Sequence, residues 1–339
     1  MGRMSSFPSA LGLSPQQTED VVRMAAAAPS LHNSQPWRFR LSRHSIELHG
    51  DPRRRLPAAD PADRELRLAC GAALMNLRLA LAHAGVRPVV TLLPRLAGPS
   101  ALAEVRVQGH GAAAPADEML YRAIPARRSN RRPFMDTAVP AGHRHQLEKA
   151  VHDEHCRLHV IGRHERSGLE RLVQRAHREQ MNDPAFREEL ARWTGVRQGA
   201  AEGVPAASAG PEPEPQDQWV VRDFSGGQAR QRVPGKDFED EPLLVVLCSY
   251  RAGKIADLEA GQALQRMLLT ATSLGLSTSL LSQVVEVDQA HAELRRLLGE
   301  GLWPQAVVRV GYGSPMPRTP RREPWELVMD AGSPVNSPD

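Results

Sequence analysis

Apolar residues at helical spacing recur in two long runs, and shorter alternating runs flank them. Leu66, Ala69, Ala73, Leu77 and Leu81 mark one face of a predicted helix over 65–85, with Gly85 as its stop. A matching helix is predicted over 257–275. Near the start, Ser14-Pro15 reads as an N-cap followed by a first-turn proline, and the helix they open ends at Pro29. Phe39, Leu41, Ile46 and Leu48 alternate as in a hairpin, and 89–93 and 103–107 read as strands. Further on, 117–126 and 141–154 are helical, 158–161 is strand-like, and 164–193 is helical with a break at Asp183-Pro184. The continuous apolar run 243–249 predicts a buried strand. Strands over 279–285 and 306–310, with a helix over 291–298 between them, complete an α+β chain.

The two long helices align without gaps. Gly71-Ala72-Ala73-Leu74 matches Gly261-Gln262-Ala263-Leu264, and Val105-Arg106-Val107 parallels Val308-Arg309-Val310 further on. Two copies of one α+β unit are therefore expected, 1–115 and 116–330, followed by a tail over 331–339. From 195 to 235 periodicity vanishes under glycine, proline and Glu-Pro repeats, so this insert is either without structure or a lid. Trp219 and Phe224 inside it suggest that part of it docks.

Composition removes several function classes. The 339 residues suffice for about two domains. Lys+Arg 43 against Asp+Glu 39 leaves a net charge of +4, too little to predict nucleic-acid binding, and 4% aromatics offer few stacking platforms. Cys70, Cys156 and Cys248 have no metal or CxxC spacing, and the histidines form no ligand pattern, so reduced thiols in a cytoplasmic protein without a metal are expected. Residues 1–15 lack the apolar core of a signal peptide; Met1-Gly2 with Ser6 formally matches a myristoylation pattern that no second signal supports. The longest apolar run is far short of a membrane span, which predicts a soluble protein.

Chemistry concentrates in two stretches. Arg127-Arg128-Ser129-Asn130-Arg131-Arg132-Pro133-Phe134 packs four arginines and a hydroxyl into six residues. If helical, Arg127 and Arg131 share a face, and their forks suit an anion such as phosphate; on spacing alone a solvated basic helix end is an equal reading. Pro29-Ser30-Leu31-His32-Asn33-Ser34-Gln35-Pro36-Trp37 is barred from regular helix by its prolines and is dense in hydrogen-bonding groups; a turn feeding a strand is the plain alternative.

Together these stretches resemble the flavin-dependent nitroreductases, whose subunits carry an Arg-x-Ser-x-Arg/Lys element and a Pro-Ser-x-x-Asn-x-Gln-Pro-Trp element. More closely, the chain is similar to the fused Acg family over about 15–325, the late Pro-Gln-Ala-Val-Val-Arg-Val-Gly-Tyr-Gly run included. The resemblance implies a nitroreductase-like fold, two fused copies forming an intramolecular pseudo-dimer, a monomer sufficient for function, and one FMN at the seam. It assigns Arg127, Ser129 and Arg131 to the phosphate, ribityl chain or ring edge. Pro29, Ser30, Leu31, His32, Asn33 and Gln35 would come from the other copy. Ser282-Gln283-Val284 would pass near the flavin N5, and Arg318, Arg321 or Arg322 would close the phosphate pocket. Residues 1–27 lack the arginine element, and Gly203-Val204-Pro205-Ala206-Ala207 is expected as a degenerate second copy of the Pro-Ser-Asn loop, so the second site should be empty. The implied activity is flavin N5 hydride chemistry with NAD(P)H and a small-molecule acceptor, with no acid–base dyad required. The alternative is an FMN storage protein whose lid excludes nicotinamide. A cobalamin-precursor-type lidded enzyme is a third, weaker implication.

Overall fold

The computed structural model describes residues 6–95, 100–196, 200–214, 217–229, 232 and 242–329. In chain order come α1 (Pro15–Ala25), β1 (Trp37–Leu41), β2 (Ile46–Gly50), α2 (Arg64–His83), β3 (Val86–Leu92), β4 (Ala101–His110) and α3 (Pro115–Ala123). Then follow α4 (Ala141–His152), β5 (Arg157–Val160), α5 (Arg163–Asn182), α6 (Pro184–Trp193), β6 (Thr194–Val196), β7 (Val204–Pro205) and β8 (Leu243–Ser249). Last are α7 (Lys254–Ser273), β9 (Ser277–Leu280), α8 (Gln283–Glu286), α9 (Asp288–Leu297), β10 (Trp303–Gly311) and α10 (Pro324–Leu327). The predicted caps form: the Ser14 hydroxyl accepts from Gln17 N with a reciprocal bond back, and Asp183 caps α6.

Two four-stranded antiparallel sheets follow one path. The first is ordered β1-β2-β4-β3 and the second β5-β8-β10-β9. In each, the second strand leads into the long helix, the next strand takes the far edge, and the last returns between them. Apolar content tracks coverage. Strands β8 and β10 are buried almost throughout because α4 and α7 cover one face and α5, α8 and α9 the other. Strand β3, at an edge and bulged at Arg87/Pro88, buries Val86 and then alternates exposed and half-buried positions.

Helices α2 and α7 cross at the centre, glycine on glycine. A Cβ on Gly71 would overlap the Leu258 carbonyl oxygen and stand 2.9 Å from Gly261 Cα; one on Gly261 would overlap the Leu68 carbonyl and stand 2.8 Å from Gly71 Cα. Only hydrogen at Cα permits this approach. Around it, Arg67 Nε donates to Asp257 Oδ2 at 2.8 Å and Gln265 Nε2 to Asn76 Oδ1 at 2.7 Å.

One expectation needs correction and two open readings take definite form. Residues 127–131 are not helical: Ser129 bridges Thr278 and Asn130 N donates to the Thr278 carbonyl at 2.8 Å, so the run lies extended beside β9. The strand expected over 279–285 ends at Leu280 and turns into α8, despite Val284 and Val285, because burial against α5 and α9 overrides β-propensity. The insert is partly regular: β6 and β7 pair in parallel, and Ala206–Ser208 form a helical turn. Its residues 197–199, 215–216, 230–231 and 233–235, and the tail 331–339, lie outside the described residues, as does Gly2.

Beyond β10 the chain leaves the second sheet and reaches the first. Val328 bridges Phe39 of β1, and Met329 N donates to the Phe39 carbonyl at 2.8 Å.

Candidate active site

Loop 29–36 is held in a costly conformation: His32, Asn33 and Gln35 have φ of 51°, 56° and 51°. Its amide side chains fix it. Asn33 Nδ2 donates to the Gly203 and Pro320 carbonyls at 2.9 and 3.1 Å, while its Oδ1 accepts from Arg321 Nη1 at 2.8 Å. Gln35 Nε2 donates to the Ala201 carbonyl at 2.8 Å, and its Oε1 accepts from Arg322 N at 2.9 Å. Asn33 and Gln35 thus shape the loop, and Pro29, Ser30, Leu31 and His32 are left lining a cavity. Gly203-Val204-Pro205-Ala206-Ala207, expected as a degenerate copy of this loop, instead packs against it; the place before the edge strand of the second sheet is held by 153–156.

Extended backbone sends alternate side chains opposite ways, which sorts the arginine stretch. Ser129 and Arg131 line the same cavity, whereas Asn130 turns away and donates to the Ser314 carbonyl at 2.9 Å. Helix α2 contributes Glu65, Leu68, Ala69 and Ala72; Leu264 of α7, Ser279, Leu280 and Ser282 continue the wall, and Phe224 of the insert closes it. Arg131 lies 4.4 Å over the Phe224 ring and donates through Nη1 to the Ser208 carbonyl at 3.1 Å.

Arg127, Arg318 and Arg321 line an adjoining cleft. Arg127 is 4% exposed, and its Nε and Nη1 are buried with no hydrogen-bond partner among the described residues. Burial, then the charges of Arg321, Arg128 and Arg131, depress its pKa to about 9. Arg321 is tied to Asn33, Thr319 and the Ala27 and Ala28 carbonyls, and burial with Arg128 and Arg318 beside it lowers its pKa to about 10. Arg318 stands at the mouth, donating to the Pro125 carbonyl at 3.3 Å.

Two uncharged titratable groups face the cavity. Both His32 ring nitrogens are buried without a hydrogen-bond partner among the described residues; burial and the Arg222 charge lower its pKa to about 3, so it is neutral. Glu65 Oε1 accepts from Arg64 Nη2 at 2.5 Å, yet burial, with Asp60, Glu286 and Asp257 near, raises its pKa to about 8. Above His32, Arg222 Nη2 pairs with Glu286 Oε2 at 3.0 Å, their side chains 3% and 0% exposed.

Of the residues expected near the ring, Val284 is buried in the core and Gln283 lines a small recess behind Phe224. Glu65, Leu264, Ser279 and Phe224 stand in the wall although the sequence motifs do not include them. Two carry a signal: Glu65 lies on the apolar face of α2, in register with Leu68, Ala69 and Ala72, and Phe224 is one of the two aromatics that mark the insert as docking. The cysteines are free and buried, and among the described residues there is no metal-type cluster and no helix long and apolar enough to cross a membrane.

The Nitroreductase family model matches residues 124–312. Two proteins of Mycobacterium tuberculosis whose names carry the words NAD(P)H nitroreductase, Rv3131 and Acg, are each 32% identical to this chain. The first aligns over 95% of this chain and 92% of its own length, the second over 90% and 92%. A solved Bacteroides fragilis nitroreductase with bound FMN is 18% identical and covers 65% of this chain and 98% of its own, at a TM-score of 0.36.

Proposed function

Because the chain belongs to the nitroreductase family, and to its Acg type, we propose that it holds one FMN per chain, its ring in the cavity bounded by Pro29–His32, Ser129 and Arg131. When bound, FMN supplies hydride transfer between a reduced nicotinamide and a small-molecule acceptor. Arg127 and Arg321 bind the phosphate, Ser129 the ribityl chain. Arg131 keeps a positive charge at the wall, which favours the more negative redox state. Ser282 borders the same space and orients the ring from the far side, with Gln283 and Val284 supporting it from behind. The carrying observation is Arg127: a buried guanidinium with two nitrogens unpartnered is stable only beside an anion.

One site per chain follows from two fused copies, 1–115 and 116–330. The shared strand path and the Gly71/Gly261 crossing support that reading, with a monomer sufficient. The arginine and Pro-Ser-Asn elements each occur once, so only one seam is furnished. Free buried thiols fit a cytoplasmic setting.

A second reading, FMN retention with little turnover, takes the insert as a lid and draws on Phe224 over the cavity and on the buried Arg222–Glu286 pair. Denaturing the purified yellow protein should release about one FMN per chain; a colourless protein that stays empty in excess FMN refutes both readings. Stopped-flow mixing with NADH or NADPH separates them: bleaching in milliseconds identifies the reductase, and none over minutes the retention protein.

A further inference from the structure

The cleft beside Arg127 carries more basic side chains than a flavin phosphate needs. Arg127, Arg128, Arg318 and Arg321 line it, and none forms an ion pair with a carboxylate among the described residues. Arg23 is answered by Glu19 and Asp20, and Arg322 reaches Asp51 at 3.9 Å. The one carboxylate in the wall, Glu323, is exposed and caps α10. A phosphate monoester near pH 7 carries a charge of about −2, which Arg127 and Arg321 match.

Arg128 and Arg318 are then in excess. Both donate to the Pro125 carbonyl, at 2.8 and 3.3 Å, and Arg128 Nε is buried with no partner among the described residues. Beside them Met24, Ala27, Ile124 and Pro125 give the cleft an apolar side. Two spare guanidiniums next to an apolar wall suit a phosphate joined to a flat base. We infer that the outer cleft, between Arg128 and Arg318, seats the adenylate end of a dinucleotide, a second phosphate site distinct from that of the flavin. This rests on the flavin reading only for the use made of Arg127 and Arg321. The adenylate can belong to FAD or to a separate nicotinamide dinucleotide.

The test titrates the protein as isolated with ADP and with 2′,5′-ADP by calorimetry while flavin absorbance is followed. Flavin-stripped protein is titrated in parallel with FMN and FAD. Binding of either ADP with the flavin retained supports the site and identifies a separate dinucleotide; FAD binding at least about tenfold tighter than FMN supports it and identifies FAD. In either case Arg128→Ala and Arg318→Ala should each weaken the adenylate about tenfold or more, the scale of one charged hydrogen bond, with a clearly smaller loss for FMN, whose phosphate feels these two arginines only as charges beside Arg127 and Arg321. Displacement of FMN by ADP shows a single phosphate seat and overturns the proposal. So does the absence of ADP binding together with FAD binding no tighter than FMN. Protein that binds ADP but never FMN refutes the flavin reading and leaves this site standing.

Discussion

Gly71→Ala tests the helix crossing on which the cavity is built. The added methyl would sit 2.9 Å from Gly261 Cα and against the Leu258 carbonyl, all backbone, so no side chain can swing aside. Restoring ordinary carbon contacts of about 3.5–4.0 Å parts α2 and α7 by roughly 0.6–1 Å, enough to forfeit a quarter to a half of each contact across the seam. Overpacking without a rotamer escape belongs at the upper end of the usual range, about 3 kcal/mol. Alanine returns roughly 0.8–1 kcal/mol of helix propensity, leaving a net loss of about 2 kcal/mol. Gly261→Ala should cost the same, and the double variant less than the sum, because the first methyl has already separated the helices. Urea unfolding followed by circular dichroism measures all three. FMN affinity should fall in parallel, since Leu68, Ala72 and Leu264 lie on the same two helices. A single variant gaining about 1 kcal/mol, the propensity term alone, or strict additivity in the double would refute the crossing.

Other outcomes concern the site itself. Arg127→Ala should weaken FMN binding by roughly 1.5–3 kcal/mol, read by fluorescence titration; unchanged affinity removes Arg127 from the site. Glu65 is neutral when folded up to about pH 8 but ionises near 4.5 when unfolded. The folded state therefore binds the extra proton between those values, and stability falls as pH rises through that window by up to a few kcal/mol. Glu65→Gln should flatten that slope in urea titrations at successive pH values, and an unaltered slope would exclude Glu65 as its source. Arg222→Ala strands Glu286 beside a neutral His32 and should cost about 3–5 kcal/mol while speeding FMN release; a release rate equal to wild type would separate the insert from retention.

Much of the frame is legible in the sequence because it is local. Ser14-Pro15, Asp183-Pro184 and Gly85 mark element ends, and the continuous run 243–249 matches a strand covered on both faces. The arginine stretch is legible as chemistry but not as shape. Its four charges look helical by spacing, whereas its conformation is set by Thr278, far along the chain. Val284 and Val285 mislead for the same reason, since only tertiary burial makes them helical. Leu264 and Ser279 carry no chemical flag, and Phe224 is flagged only as an aromatic that docks somewhere, so their place in the wall depends on which surfaces the fold brings together. Asn33 and Gln35 stand out in the sequence as polar residues of the loop, but they hydrogen-bond to backbone, and Asn33 to Arg321 as well, rather than facing the cavity.

The reach of the chain from β10 back to β1 has a consequence for biosynthesis. Residues 314–328 leave the ribosome after every strand of both sheets. They carry Arg321, which anchors Asn33, and Val328, which joins Phe39. A polypeptide terminated near residue 313 holds every strand of both sheets yet lacks Arg321 and the Val328 bridge. If Arg321 holds the phosphate as proposed, such a product should stay colourless, and cofactor uptake then reports that translation ran past this point.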